Sequence, residues 1–115
     1  MATLTGVPLI EGVDVANAIA AIYTVPASLS RVRVDNISFT NYSAGGVTLT
    51  VQIIESGGSA GNTNIVVDAI TIAAHETFEP SSVLQGLNAG DTIQAVAGSV
   101  TSINCRATGT TFTST

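Results

Sequence analysis

The 115-residue chain carries little charge, because Asp, Glu, Lys and Arg make up 10% of it, against about 25% in ordinary soluble domains. The net charge is -5, and the only fixed cations are Arg31, Arg33 and Arg106. This argues against binding to nucleic acids or to anionic membranes, because both need clusters of basic residues. An apolar content of 45% is enough for one domain with one core. Thr, Ser, Ala and Gly take the place of charges on the surface. They lose little entropy when a neighbour covers them, which favours assembly; an acidic, neutral-polar extracellular or bacterial surface is the alternative.

The N-terminal stretch "MATLTGVPLIEGVDVANA" shows no sustained hydrophobic period. We therefore expect an irregular or extended N-terminal arm over residues 1–18, followed by one domain over residues 19–115. Residues 1–10 lack the positive region and the long apolar run of a signal peptide. No window approaches the roughly 20 apolar residues of a membrane span. We expect synthesis in a cytoplasm without a Sec-type export signal.

The rest of the chain alternates β-branched segments of period two with turns rich in Gly, Pro and Asn. The predicted strands lie at 19–25, 31–41, 46–55, 63–73 (with a candidate break at Asp68), within 75–87, and at 91–97 and 101–108. The tail "GTTFTST" either adds an edge strand through Phe112 or frays. The only helix candidate, "VDVANAIAAIY", ends in residues that favour a strand. The pattern predicts an all-β, antiparallel β-sandwich or barrel of about seven strands, Greek-key-like or jelly-roll-like.

The strand predicted over residues 31–41 changes the phase of its apolar residues halfway along. These residues lie first on even and then on odd positions: Val32, Val34, Ile37 and Phe39. A β-bulge at Asp35-Asn36 would insert one residue and let all four side chains point inward. The alternatives are a sheet that is buried on both faces and a strand that crosses from one sheet to the other.

Residues that could carry chemistry are few and scattered. His75 and Cys105 are the only histidine and cysteine, so neither a catalytic dyad nor a zinc site is indicated, and Cys105 is expected to be a small buried hydrophobe. Glu76 and Glu79 could form a loose cation site with a neighbour, but solubility explains them better. The glycosylation patterns Asn36-Ile37-Ser38 and Asn41-Tyr42-Ser43 are expected to be chance matches without a secretory signal.

The candidate contact residues lie in the arm and at the start of the strand over 31–41. They are Leu4, Val7, Leu9, Ile10, Arg31 and Arg33. Arg31 and Arg33 share one face of the strand. They would pair either with acids of a neighbouring subunit or with Asp68 or Asp91 of the same chain. The arm would reach a neighbour by adding a strand to an exposed sheet edge.

Three segments, taken in order, resemble small all-β structural proteins of tailed bacteriophages. They are "IYTVPASLSRVRVDNISFTNYSAGGVTLTVQI", "ITIAAHETFEPSSVLQGLNAGDTIQAVAG" and "VTSINCRATGT". The likeness covers residues 19–108 and consists of strands and their turns, including the tight turn Asn88-Ala89-Gly90-Asp91, where Gly90 is free to take a positive φ. The sequence departs from the pattern at Ser28-Leu29-Ser30, where the family has Gly-Lys, and at Ala74-His75, where it has Gly.

The resemblance implies a non-enzymatic virion protein that assembles in the host cytoplasm. The expected role is a capsid decoration (cement) protein that bridges and stabilises neighbouring coat subunits. Its partners would be the major capsid protein, copies of itself, or both, as a homo-oligomer within the particle. The resemblance implies no catalytic residue, cofactor or metal. The alternatives are a tail, collar or fibre-associated module, and a carbohydrate-binding or adhesive sandwich that would use Tyr23 or Tyr42.

Overall fold

The computed structural model describes residues 2–114 and shows two antiparallel β-sheets packed face to face, which confirms the predicted sandwich. The strands in the described part of the chain are β1 Ala2–Asp14, β2 Ala20–Thr24, β3 Arg31–Asn41, β4 Val47–Ile54, β5 Ile65–Ile72, β6 Thr77–Phe78, β7 Gly86–Asn88, β8 Thr92–Ala97 and β9 Ile103–Ser114. Two single 3₁₀ turns, Asn62–Asn64 and Ser81–Val83, are the helical elements of these residues. Neither has the length or apolarity that a membrane-spanning helix needs.

The first sheet has the order β1-β9-β3-β6, with β7 also paired to β3, and the second has the order β2-β8-β4-β5. In the strands that alternate apolar and polar residues, the apolar side chains point into the space between the two sheets. The largest fully buried side chains are Phe39, Ile37, Leu49, Leu87, Ile93, Ile103, Val15, Val25, Val32, Val34, Val51 and Val83. Burial of this apolar area, at about 25 cal/mol per Å², is the main force that stabilises the fold.

The bulge predicted in the strand over 31–41 is present in β3. Val34 pairs with Gly109 and Asn36 pairs with Thr108, so Asp35 is the inserted residue. Val32 and Phe39, on either side of the bulge, are both fully buried. Both therefore face the same core, and the two alternatives, a doubly buried sheet and a strand that changes sheets, are wrong.

Residues 2–14 form one strand, so this segment is extended, as one of the expectations had it, whereas the expectation of an irregular arm is wrong for it. β1 pairs with β9 along its whole length, from Ala2 opposite Ser114 to Asp14 opposite Asn104. Its period-two pattern is hidden in the sequence because the register shifts twice, between Pro8 and Ile10 and between Glu11 and Val13. Each shift moves the following side chains to the other face. The boundary at residue 18 stays a prediction, although Ile10 and Val15 already belong to the common core.

The described part of the C-terminal tail, residues 109–114, neither frays nor forms a separate edge strand. It continues β9, which lies between β1 and β3, so both of its edges are hydrogen-bonded. β5 is continuous through Asp68, so the strand is not broken there, but its register with β4 shifts between Leu49 and Val51. At this point Ala69 has a φ of 46°, and its N–H donates to the hydroxyl of Thr50 (3.0 Å).

Two turns show how local sequence sets backbone geometry. Gly90 has a φ of 87°, as its place in the Asn88–Asp91 turn predicts. The Asp91 carboxylate closes this turn by accepting the N–H groups of Asn88 and Ser56. His75 has a φ of 61°, in the left-handed region where the resembled pattern has glycine.

Candidate interaction surfaces

The side chains that could ligate a metal ion are scattered over the part of the chain that the structure describes. No group of three or more His, Cys, Asp or Glu side chains comes together within this part of the chain. His75 is exposed in a turn, whereas Cys105 is buried in the core. The two side chains therefore cannot act as a nucleophile and its base.

Burial raises the pKa of the Cys105 thiol to about 12, which is the expected state of a small core residue. We predict that a thiol reagent such as dithionitrobenzoate leaves the folded protein unmodified and reacts in denaturant. The unfolded thiol ionises near its ordinary pKa of about 8.5. The free energy of unfolding should therefore fall as pH rises above this value, and between about pH 8.5 and 10, below the range in which tyrosines ionise, the fall should be absent in Cys105→Ala. Rapid labelling without denaturant would contradict the burial.

The six predicted contact residues differ widely in exposure. Leu4 is 61% exposed on β1, and Arg31 and Arg33 are exposed on β3. Val7 and Leu9 are half-buried, and Leu9 packs against the core. Ile10 is 3% exposed and belongs to the core, so its assignment as a contact residue is wrong. The sequence shows no period here that would reveal the burial, because the register shift after Pro8 turns Ile10 inward.

Arg33 is engaged within its own strand rather than with either acid expected from the sequence. Its Nε donates to Asp35 Oδ1 at 2.7 Å, and its guanidinium also contacts the hydroxyl of Thr110. Asp91 instead closes the turn described above. Arg31 forms no ion pair with any described residue, so its guanidinium is available to a carboxylate of another molecule.

Hydrogen bonds from Arg33 and Thr110 hold the pKa of the Asp35 carboxyl below its usual range. We predict that Arg33→Ala raises this pKa toward its ordinary value, because the strongest donor to the carboxylate is lost. Carboxyl ¹³C chemical shifts, followed through a pH titration, measure the change directly. An unchanged Asp35 titration in the variant would contradict the assigned pair, and Arg106→Ala serves as the control.

A patch of mixed apolar and cationic character crosses three strands on the outer face of the first sheet. Leu4 of β1 lies opposite Phe112 of β9, which lies opposite Arg31 of β3. We call these three residues the Leu4 patch. Phe112 was not among the predicted contact residues, although the inward phase of Ile103, Cys105 and Ala107 in β9 already predicts that Phe112 points outward.

A groove lies on the opposite side of the sandwich, where β5 and β6 form the last strands of their sheets. Its volume is about 390 Å³. Its apolar lining includes the half-buried Val66, Ile70 and Phe78, and its acidic lining is Asp68 and Glu79, both exposed. We call it the β5–β6 groove. It was not predicted, because it joins two segments separated by the turn at residues 73–76.

The two tyrosines named for sugar binding differ in exposure. Tyr23 is half-buried against the core, and desolvation raises its pKa. Tyr42 is 45% exposed and donates a hydrogen bond to Asp14 (3.0 Å). Its pKa is raised by desolvation and by this carboxylate. Asn41 is fully buried, so Asn41-Tyr42-Ser43 is not a usable glycosylation site in the folded chain.

No protein-family model matches this sequence, and no curated protein matches it either. The fold is nevertheless similar to solved structures. One is a chain from Bacillus endospore appendages, described as a family of disulfide-linked pili, with a TM-score of 0.51 and 17% identity over 99% of this chain and 90% of that one. Chains of two infectious bursal disease virus particles are also similar. The T=13 particle gives a TM-score of 0.60 at 10% identity, and the T=1 particle gives 0.54 at 10%, each over 97% of this chain.

The chain spans about a third of the length of the virus chains, 31% in both cases. At identities of 10% to 17%, these likenesses show a shared sandwich fold and no more. The chains named here belong to infectious bursal disease virus particles and to endospore appendages.

Proposed function

We propose that this chain is a non-enzymatic structural subunit of a virion, and specifically a capsid decoration protein that bridges neighbouring coat subunits. The observation that carries the proposal is the long, exposed outer edge of β1. This strand has 13 residues, it is paired with β9 on one side, and Leu4 on it is 61% exposed. Edges of this kind accept a strand or an apolar side chain from another protein.

Two further features support an assembled, structural role. The surface is poor in charge, so another chain can cover it with little loss of hydration. The fold also occurs in chains of viral particles and of a bacterial appendage. The partners are the major capsid protein and further copies of this chain.

Quantitative mass spectrometry of purified particles tests the proposal. A decoration protein is present in a number similar to that of the coat protein, whereas a tail, collar or fibre module is present in far fewer copies. Particles that lack the chain should release their genome at a lower temperature than complete particles. Equal heat resistance, or absence of the chain from the particles, would rule out the decoration role.

The second candidate function is a subunit of an extracellular appendage. The observation that favours it is the likeness to the endospore appendage chain, which covers nearly the whole of both chains. Such an assembly would not be disulfide-linked through this chain, because its single cysteine is buried. Immunogold electron microscopy distinguishes the two functions, since antibody against the chain labels either capsids or filaments.

A further inference from the structure

We propose that copies of this chain associate head to tail, with the Leu4 patch of one copy seated in the β5–β6 groove of the next. The inference rests on the proposed role as one subunit of an assembly, and it adds the surfaces, the partner and the geometry. The occupant of the groove is a second copy, and the argument for it is complementarity of charge and of apolar surface.

The two surfaces match in composition. The patch offers one exposed leucine, one half-buried phenylalanine and one arginine that forms no ion pair with the described residues. The groove offers an apolar floor that includes Val66, Ile70 and Phe78, and the carboxylates of Asp68 and Glu79. An apolar anchor flanked by an ion pair is a common arrangement at the centre of protein interfaces.

The dimensions of the two surfaces are also compatible. Adjacent strands lie about 4.8 Å apart, so the patch, which crosses three strands, is roughly 10 Å wide. A groove of about 390 Å³ can accept one large side chain and part of a second. Leu4, the most exposed of the large hydrophobic residues in the described chain, is the side chain expected to enter it.

The position of the two surfaces determines the kind of assembly. The patch spans β1, β9 and β3 on the outer face of the first sheet, whereas the groove lies at the β5 and β6 edges. Different surfaces of two copies are therefore joined, and such a contact repeats into a ring or an open array instead of stopping at a two-fold dimer.

Charge reversal tests the contact in solution. Sedimentation velocity of the full chain should show association that grows with concentration and weakens at high salt. Arg31→Glu should weaken it at least about tenfold, since it places like charges together. Arg106→Glu is the matched control, because Arg106 is exposed on the same sheet but lies outside the patch, and it should leave association unchanged.

A compensating variant makes the test specific. Arg31→Glu combined with Asp68→Arg and Glu79→Arg reverses both surfaces, so its copies should associate again. Leu4→Asp should abolish association without changing the thermal unfolding midpoint, because Leu4 is largely exposed. A chain that stays monomeric at every concentration, equal effects of Arg31→Glu and Arg106→Glu, or no recovery in the compensating variant would overturn the inference.

The association experiments and the particle experiments can fail separately, so failure of the head-to-tail contact can be told apart from failure of the proposed function. If particles still bind the Arg31→Glu variant in full while self-association never occurs, the decoration role stands and the head-to-tail contact is wrong. If the chain associates as described but is absent from particles, the contact stands and the decoration role is wrong.

Discussion

Gly109→Ala is expected to lower the free energy of unfolding by roughly 3 kcal/mol, because overfilling a packed site forces the backbone apart. Gly109 is buried in β9, between the bulge of β3 and the register shift of β1. A Cβ atom at this position would meet the carbonyl oxygen of Arg33, and it would lie 2.7 Å from Cδ1 of Leu9. Moving either the backbone carbonyl of a paired strand or a side chain packed on the core would cost free energy of folding.

Gly6→Ala is the matched control for this substitution. Gly6 lies in the neighbouring strand β1, is exposed, and has no atom within 4 Å of a Cβ built on it. Its change to alanine should alter stability by less than about 0.5 kcal/mol. Urea unfolding followed by circular dichroism measures both variants. Equal stability of the two variants would show that β3 and β1 do not close on β9 as described.

Asn41→Ala is expected to cost a similar amount, roughly 3 kcal/mol, because it leaves several buried polar groups without partners. The Asn41 side chain is fully buried at the end of β3. Its amide donates to the carbonyl oxygens of Gly45 and Ile72, each at 2.8 Å. Its Oδ1 accepts from the N–H and the hydroxyl of Ser43. One side chain thus joins the two sheets and closes the turn that leads to β4.

A second variant tests whether the Asn41 side chain donates and accepts the hydrogen bonds in the directions described. Asn41→Asp keeps the size and the acceptor but loses both donors, and it places a carboxylate against two carbonyl oxygens. It should be at least as destabilising as Asn41→Ala at neutral pH and less so at acidic pH, where the carboxyl can donate one hydrogen bond. Asn36→Ala, at an exposed position of the same strand, is the control and should be nearly neutral. A neutral effect of Asn41→Ala in thermal unfolding would contradict the buried network.

Several parts of the fold were predictable because they depend on local patterns. The bulge at Asp35 follows from the change of phase between Val34 and Ile37, since one inserted residue is the simplest way to keep both inside. The turn before β8 follows from Gly90, and the core face of β8 follows from strict alternation. Cys105 was correctly expected to be buried, because it falls in phase with Ile103 in β9.

The N-terminal segment and the surfaces were not predictable in the same way. Two register shifts in β1 break its period, so the sequence reads as irregular and Ile10 was taken for a surface residue. β9 nonetheless supplies a continuous row of hydrogen-bond partners, which orders residues that have no pattern of their own.

By itself, the sequence determined the all-β sandwich, the bulge in β3 and the absence of basic clusters, because each depends on composition or on neighbours within a few residues. Only the tertiary structure decided that β9 lies between β1 and β3, which brings Leu4, Phe112 and Arg31 together. It alone decided that Asp68 and Glu79 share a groove. Pairing between distant strands is set by how the whole apolar surface is best buried, and no local pattern encodes it.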